Sequence, residues 1–228
     1  MISEDFSFEC DGYDLAATID YNESKDKPTI LALNGSRPGN RQSPIYWTST
    51  LARHGYSCLR FDYSGHGDSS GNPNVTLREL CRQALAASKF LDDKKPITLI
   101  GASLGGHTTL SLLPHLNVEN LILLCPAAYD EQALDASYES RYLHLLSNGY
   151  GKIFDNLKNY KGNLLHIIGE KDDIIPAHVS HLFKEHSINC KKRDFIVVPD
   201  APHTLRIFLE DKPELREELA LKMSEFLK

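Results

Sequence analysis

The chain has 228 residues, 41% hydrophobic and 25% charged, with a formal net charge of −6. That length and balance suit one well-packed domain and argue against a disordered or fibrous chain. The acidic balance and the absence of a long Lys/Arg block argue against nucleic acid or an anionic membrane surface as partner.

Phe6, Phe8 and Cys10 alternate with polar residues, and Tyr13, Leu15, Ala17 and Ile19 do so again after Asp11-Gly12. Two period-two runs joined at Asp-Gly predict an antiparallel hairpin. Pro28 to Leu33 is apolar without alternation, as a strand covered on both faces would be. Residues 34–43 form a loop rich in Gly, Ser and Arg, whose Arg37 is a candidate for meeting an anionic substrate or a plain solvated arginine. Pro44 to His54 reads as a helix ended near Gly55, Tyr56 to Phe61 as a strand, and Thr76 to Leu91 as an amphipathic helix.

Pro96 to Ile100 is a further buried strand, and Gly101-Ala102-Ser103-Leu104-Gly105 follows it as a single G-x-S-x-G pattern. Gly106 to Leu113 can continue as a helix. Strand, sharp turn, helix is the context in which such a serine is lifted off the sheet, with the helix start beside it as a source of N–H donors. Glu119 to Cys125 gives another strand. Residues 126–162 are polar, carry Tyr129, Tyr138, Tyr142, Tyr150 and Tyr160, and suggest helical pieces around Leu143 to Leu146. Leu164 to Gly169 and Asp194 to Pro199 are strands, Ala177 to His186 and Glu214 to Leu227 helices. Alternation of this kind predicts an α/β fold on a mainly parallel sheet.

A serine hydroxyl needs a base, and the base needs an orienting group. The natural base is His203, in the turn after the last strand. The natural orienter is an acid in Gly169 to Pro176, the turn after the preceding strand. Both turns lie at strand carboxyl ends, on the side of Ser103, where open α/β sheets gather their ligands. Leu104, next after the serine, offers one N–H to a developing oxyanion.

The five cysteines form no C-x-x-C pair and are odd in number, and no apolar leader or membrane-length run is visible, so a reducing, cytoplasmic setting is expected. His178 and His181 lie one helical turn apart without H-E-x-x-H, which reads as an exposed helix face. Gly65 to Gly71 departs from a dinucleotide loop at Ser70.

Taken together, these motifs resemble the α/β-hydrolase family over nearly the whole chain. The order Ser, Asp, His is the family's order. Asp62-Tyr63-Ser64-Gly65-His66-Gly67-Asp68-Ser69 is similar to its D-x-x-G-x-G-x-S segment, and Gly169-Glu170-Lys171-Asp172 with Ile175-Pro176 to its acid turn. The resemblance implies an eight-stranded, mainly parallel sheet with an N-terminal antiparallel hairpin and helices on both faces. It implies a single domain, 1–228, with a small cap-like insertion at about 126–162. It makes Asp172 the acid, with Asp173 and Asp130 behind it, and Ser36 the second oxyanion donor in a single-glycine loop where Asn34 replaces the usual His-Gly. The implied activity is cleavage of a small-molecule ester or related acyl bond, with no cofactor or metal. Thioesterase, peptidase and acyltransferase chemistry use the same groups, and a catalytically silent binding protein of this fold is the alternative.

Overall fold

The structure is a computed structural model that describes residues 2–36, 39–72, 74–136 and 151–228. The described strands are β1 (Ile2–Cys10), β2 (Tyr13–Tyr21), β3 (Ile30–Leu33), β4 (Cys58–Phe61), β5 (Ile97–Ala102), β6 (Val118–Leu124), β7 (Asn163–Gly169) and β8 (Lys192–Val198). They form one sheet of order β1-β2-β4-β3-β5-β6-β7-β8. The helices are α1 (Ile45–Arg53), α2 (Leu77–Ser88), α3 (Leu104–Leu112), α4 (Ile153–Asn159), α5 (Ala177–His186), α6 (Leu205–Phe208) and α7 (Pro213–Phe226), with a 3₁₀ turn at Glu131–Asp135.

The hairpin closes where the sequence places it. Cys10 pairs with Tyr13, and Asp11 and Gly12 both hold positive φ, 55° and 80°, as a two-residue turn with matching twist requires. β2 pairs antiparallel with β4, and every later pairing is parallel. β3 and β4 bury all their residues because helices cover both faces of the sheet. One apolar layer gathers α2, α3, α4 and α5 through Leu77, Leu110, Phe154 and Phe183. The other gathers α1, α6 and α7 through Trp47, Leu51, Leu205 and Met223. α2 starts on a capping box in which Thr76 and Glu79 satisfy each other's backbone N–H.

Of the stretch 126–162, Tyr129 and Tyr160 are buried, and Phe154 and Leu157 of α4 are fully buried in the first layer. Tyr138, Tyr142, Tyr150 and the helical pieces expected near Leu143 to Leu146 lie outside the described residues, as does Arg37. Among the described residues no helix is long and apolar enough to cross a membrane.

Candidate active site

Ser103 sits between β5 and α3 at φ 50°, ψ −116°, a backbone conformation that few non-glycine residues adopt. The surroundings hold it there. Its N–H donates to the Leu124 carbonyl at 3.0 Å, and its carbonyl accepts from Gly106 and Ala127, both at 2.8 Å. The flanking glycines are needed for close approach. A Cβ on Gly101 would run into the Gly105 carbonyl, and one on Gly105 into the Leu33 carbonyl of β3.

Two turns bring the partners to this serine. Backbone N–H groups of Glu170 and Lys171 donate to the carbonyls of Val198 and Ala201, at 3.0 and 2.9 Å. The Asp200 N–H donates to the Glu170 carboxylate at 2.9 Å, and Lys171 pairs with Asp200 at 2.5 Å. With the turns after β7 and β8 stitched together, Asp172 and His203 face each other. His203 Nδ1 lies 3.0 and 3.1 Å from the two Asp172 oxygens, and Nε2 lies 2.9 Å from Ser103 Oγ. Both side chains are about nine-tenths buried.

Burial pushes the Asp172 carboxyl up. The His203 ring and the N–H groups of Ile175 and Ile174, at 2.9 and 3.0 Å, overcome this and hold it below the ordinary aspartate range. An ionised Asp172 only accepts, so His203 must carry its proton on Nδ1. That leaves the Nε2 lone pair for the Ser103 hydroxyl.

Leu104 is the first residue of α3, so its N–H has no acceptor within the helix. The loop after β3 passes the other side of the serine. A Cβ on Gly35 would stand 3.3 Å from Ser103 Cβ, and Ser36 lines the same cavity as Ser103 and His203. Asn34 ties this loop down by donating from Nδ2 to the Phe61 carbonyl at 2.9 Å.

The other candidates do not join this group. Asp173 is exposed, and Asp130 caps the 3₁₀ turn by accepting from Gln132 and Ala133. His178 and His181 enter no cluster of potential metal ligands among the described residues. One such cluster is present: Cys125, Asp172 and His203 offer ligand atoms within 4.8 Å of one another. Burial, with the Asp172 charge beside it, pushes the Cys125 thiol far up, which disfavours the thiolate a metal would need.

Sequence reasoning missed the support of the loop after β3. Arg41 reaches the buried Asp62 with both its N–H and its guanidinium, and reaches Asp68 at 2.6 Å and Thr18 at 3.2 Å. Next to it Arg60 forms a buried pair with Asp20 at 2.7 Å. Partners so far apart in sequence carry no local signal. The cavity wall at Trp47 was missed for the same reason, and α6 because four residues are too few to show a helical period.

Residues 31–155, more than half of the chain, match the family model described as "Alpha/beta hydrolase family". The chain belongs to the alpha/beta hydrolase family. A stretch of 123 residues is 30% identical to proline iminopeptidase PfmaB of Pestalotiopsis fici, covering 51% of this hydrolase-family chain and 43% of that protein. A stretch of 190 residues is 25% identical to the uncharacterized protein YfhR of Escherichia coli K12, covering 77% and 62%. The chain thus spans less than two thirds of these curated relatives. Among solved structures, Est1E of Butyrivibrio proteoclasticus with bound ferulic acid superposes with a TM-score of 0.75 at 19% identity, over 97% of each chain. A membrane phospholipase A gives 0.74 at 16% identity over 99% and 86%, and a serine hydrolase homologue from Coxiella burnetii 0.71 at 19% over 96% of each. At such identities the likeness is one of fold.

Proposed function

We propose that this chain is a serine hydrolase that cleaves a carboxylic ester through an acyl-enzyme. The observation that carries the reading is the continuous relay from Ser103 Oγ to His203 Nε2 at 2.9 Å and from Nδ1 to Asp172 at 3.0 Å. Ser103 Oγ attacks the carbonyl carbon as its proton passes to Nε2, and Asp172 holds the resulting imidazolium. The carbonyl oxygen becomes negative and is received by the N–H groups of Leu104 and Ser36. His203 then protonates the departing alcohol. Water, deprotonated by the same nitrogen, attacks the acyl-enzyme and frees Ser103 with release of the acid.

The assay is turnover of short-chain p-nitrophenyl esters by the wild type and by Ser103→Ala. The variant is expected to lose at least about 10³-fold in kcat, because the remaining groups bind but cannot be acylated. Turnover unchanged by the substitution would remove Ser103 from the mechanism. A wild type with no turnover of esters, thioesters or amides would turn the reading toward a silent ligand-binding protein.

A further inference from the structure

A cavity of 520 Å³ opens directly beside Ser103 and His203. Ala32 of β3, Ile100 of β5 and Leu124 of β6 form its floor, Trp47 of α1 one wall, and Leu205 and Ile207 of α6 another. Five of these six belong to the apolar layer under α1 and α7, so the cavity is a gap in that core that opens on the serine. Among the described residues that line it there is no Asp or Glu. Among the same described residues the one guanidinium, on Arg206, is exposed and occupied by Glu210 at 2.7 Å.

These walls select a chemistry. An ammonium next to the scissile carbonyl, as in an unblocked peptide, would be drawn into apolar surroundings with no carboxylate on the described lining to meet it, at a large desolvation cost. A second carboxylate in the acyl group would fare no better. A hydrocarbon chain gains with every methylene that leaves water. Trp47 is the largest side chain on the lining and is itself 4% exposed, so its bulk occupies room that a smaller residue there would leave open.

We propose that the acyl group of the substrate is an uncharged hydrocarbon chain of medium length seated in this cavity, with Trp47 as the residue that limits its length. The inference rests on the reading of Ser103 as the acylated residue, and it deepens that reading.

Trp47 is also the chain's single tryptophan, so its emission reports on the cavity without any chemistry. Linear fatty acids from butanoate to dodecanoate are titrated into Ser103→Ala, and the change in tryptophan fluorescence is followed. Affinity is expected to rise about fourfold per methylene, equivalent to about 0.8 kcal/mol, and then to stop rising once the cavity is full. In turnover, kcat/KM on p-nitrophenyl esters should follow the same profile. Trp47→Leu should move the break to longer chains. Ala32→Val, which adds bulk to the floor, should move it to shorter ones. Opposite shifts are something a general loss of stability would not produce. Wild-type turnover with no dependence on chain length, or a break unmoved in both variants, would overturn the inference and leave the ester-cleaving reading standing. Graded fatty-acid binding without wild-type turnover would support the assignment of the cavity and remove the hydrolase.

Discussion

Asp172 and Asp173 are neighbours in the chain with opposite environments. Asp172 has only about a tenth of its side chain exposed and takes three donors, from His203, Ile174 and Ile175, while Asp173 faces solvent. Their amide variants should therefore separate. Asp172→Asn keeps the shape but can donate to Nδ1, which favours the wrong imidazole tautomer, and a loss of about 10⁴-fold in kcat is expected. Asp173→Asn should leave kcat close to wild type. Steady-state kinetics on one ester decides this, and equal, mild losses would contradict the role proposed for Asp172. The same carboxyl has a pH signature. Its folded pKa is lowered, so its contribution to stability is complete above the unfolded aspartate value of about 4 and is lost as pH falls below it. From sequence alone, the turn after β7 pointed to an acid but did not say which. The choice of Asp172 came from resemblance to the family's turn, because the contact with His203 closes across 31 positions.

At the scale of elements, the loop after β3 is held by a polar cluster rather than by hydrophobic packing. Asp62 follows β4 and is fully buried, and Arg41, with only a tenth of its side chain exposed, is bound to it twice. Asp62→Ala would leave that guanidinium with only the exposed Asp68 as charge partner. A loss of roughly 3 kcal/mol in unfolding free energy is expected, the scale of a broken buried pair. Because residues 39–44 lead from Gly35 and Ser36 into α1, kcat on the ester should fall as well. Denaturant titration and kinetics on the same preparation test this, and a variant of wild-type stability would show that the pair holds nothing in place. Elements with strong local signals were legible: the hairpin at Asp11-Gly12, the strand–turn–helix around Ser103, the capped α2. The seven-residue α4 and four-residue α6 are too short to show a helical period. β8 was legible as a strand, but its exposure was not, since an apolar run does not reveal that it will lie at the sheet edge.

Over the whole molecule, the order of strands brings three distant turns to one rim, and that order is set by tertiary pairing that no local run encodes. Sequence gave the class of fold through alternation, and the family resemblance supplied the count of strands. The molecule also carries a titrating group in its core away from this rim. His166 of β7 is 3% exposed, lies between the rings of Phe183 and Phe195, and has no hydrogen-bond partner for Nε2 among the described residues. Burial pushes its pKa down to about 4. The unfolded chain binds a proton there near pH 6.5 and the folded chain does not, so stability falls as pH drops from about 6.5 through about 4, by roughly 3 kcal/mol in all. His166→Phe should flatten this part of a Tm-against-pH curve, read by circular dichroism. A variant whose curve keeps the wild-type slope between those values would show that His166 is not its source.

The proposed mechanism requires His203 to make Ser103 nucleophilic. Its most direct measurement is to react the intact protein with a fluorophosphonate and locate the adduct by peptide mass spectrometry. One modified residue is expected, Ser103, labelled rapidly in the wild type and slower by orders of magnitude in His203→Ala. Modification at another residue, no modification, or an equal rate in the two proteins would contradict it.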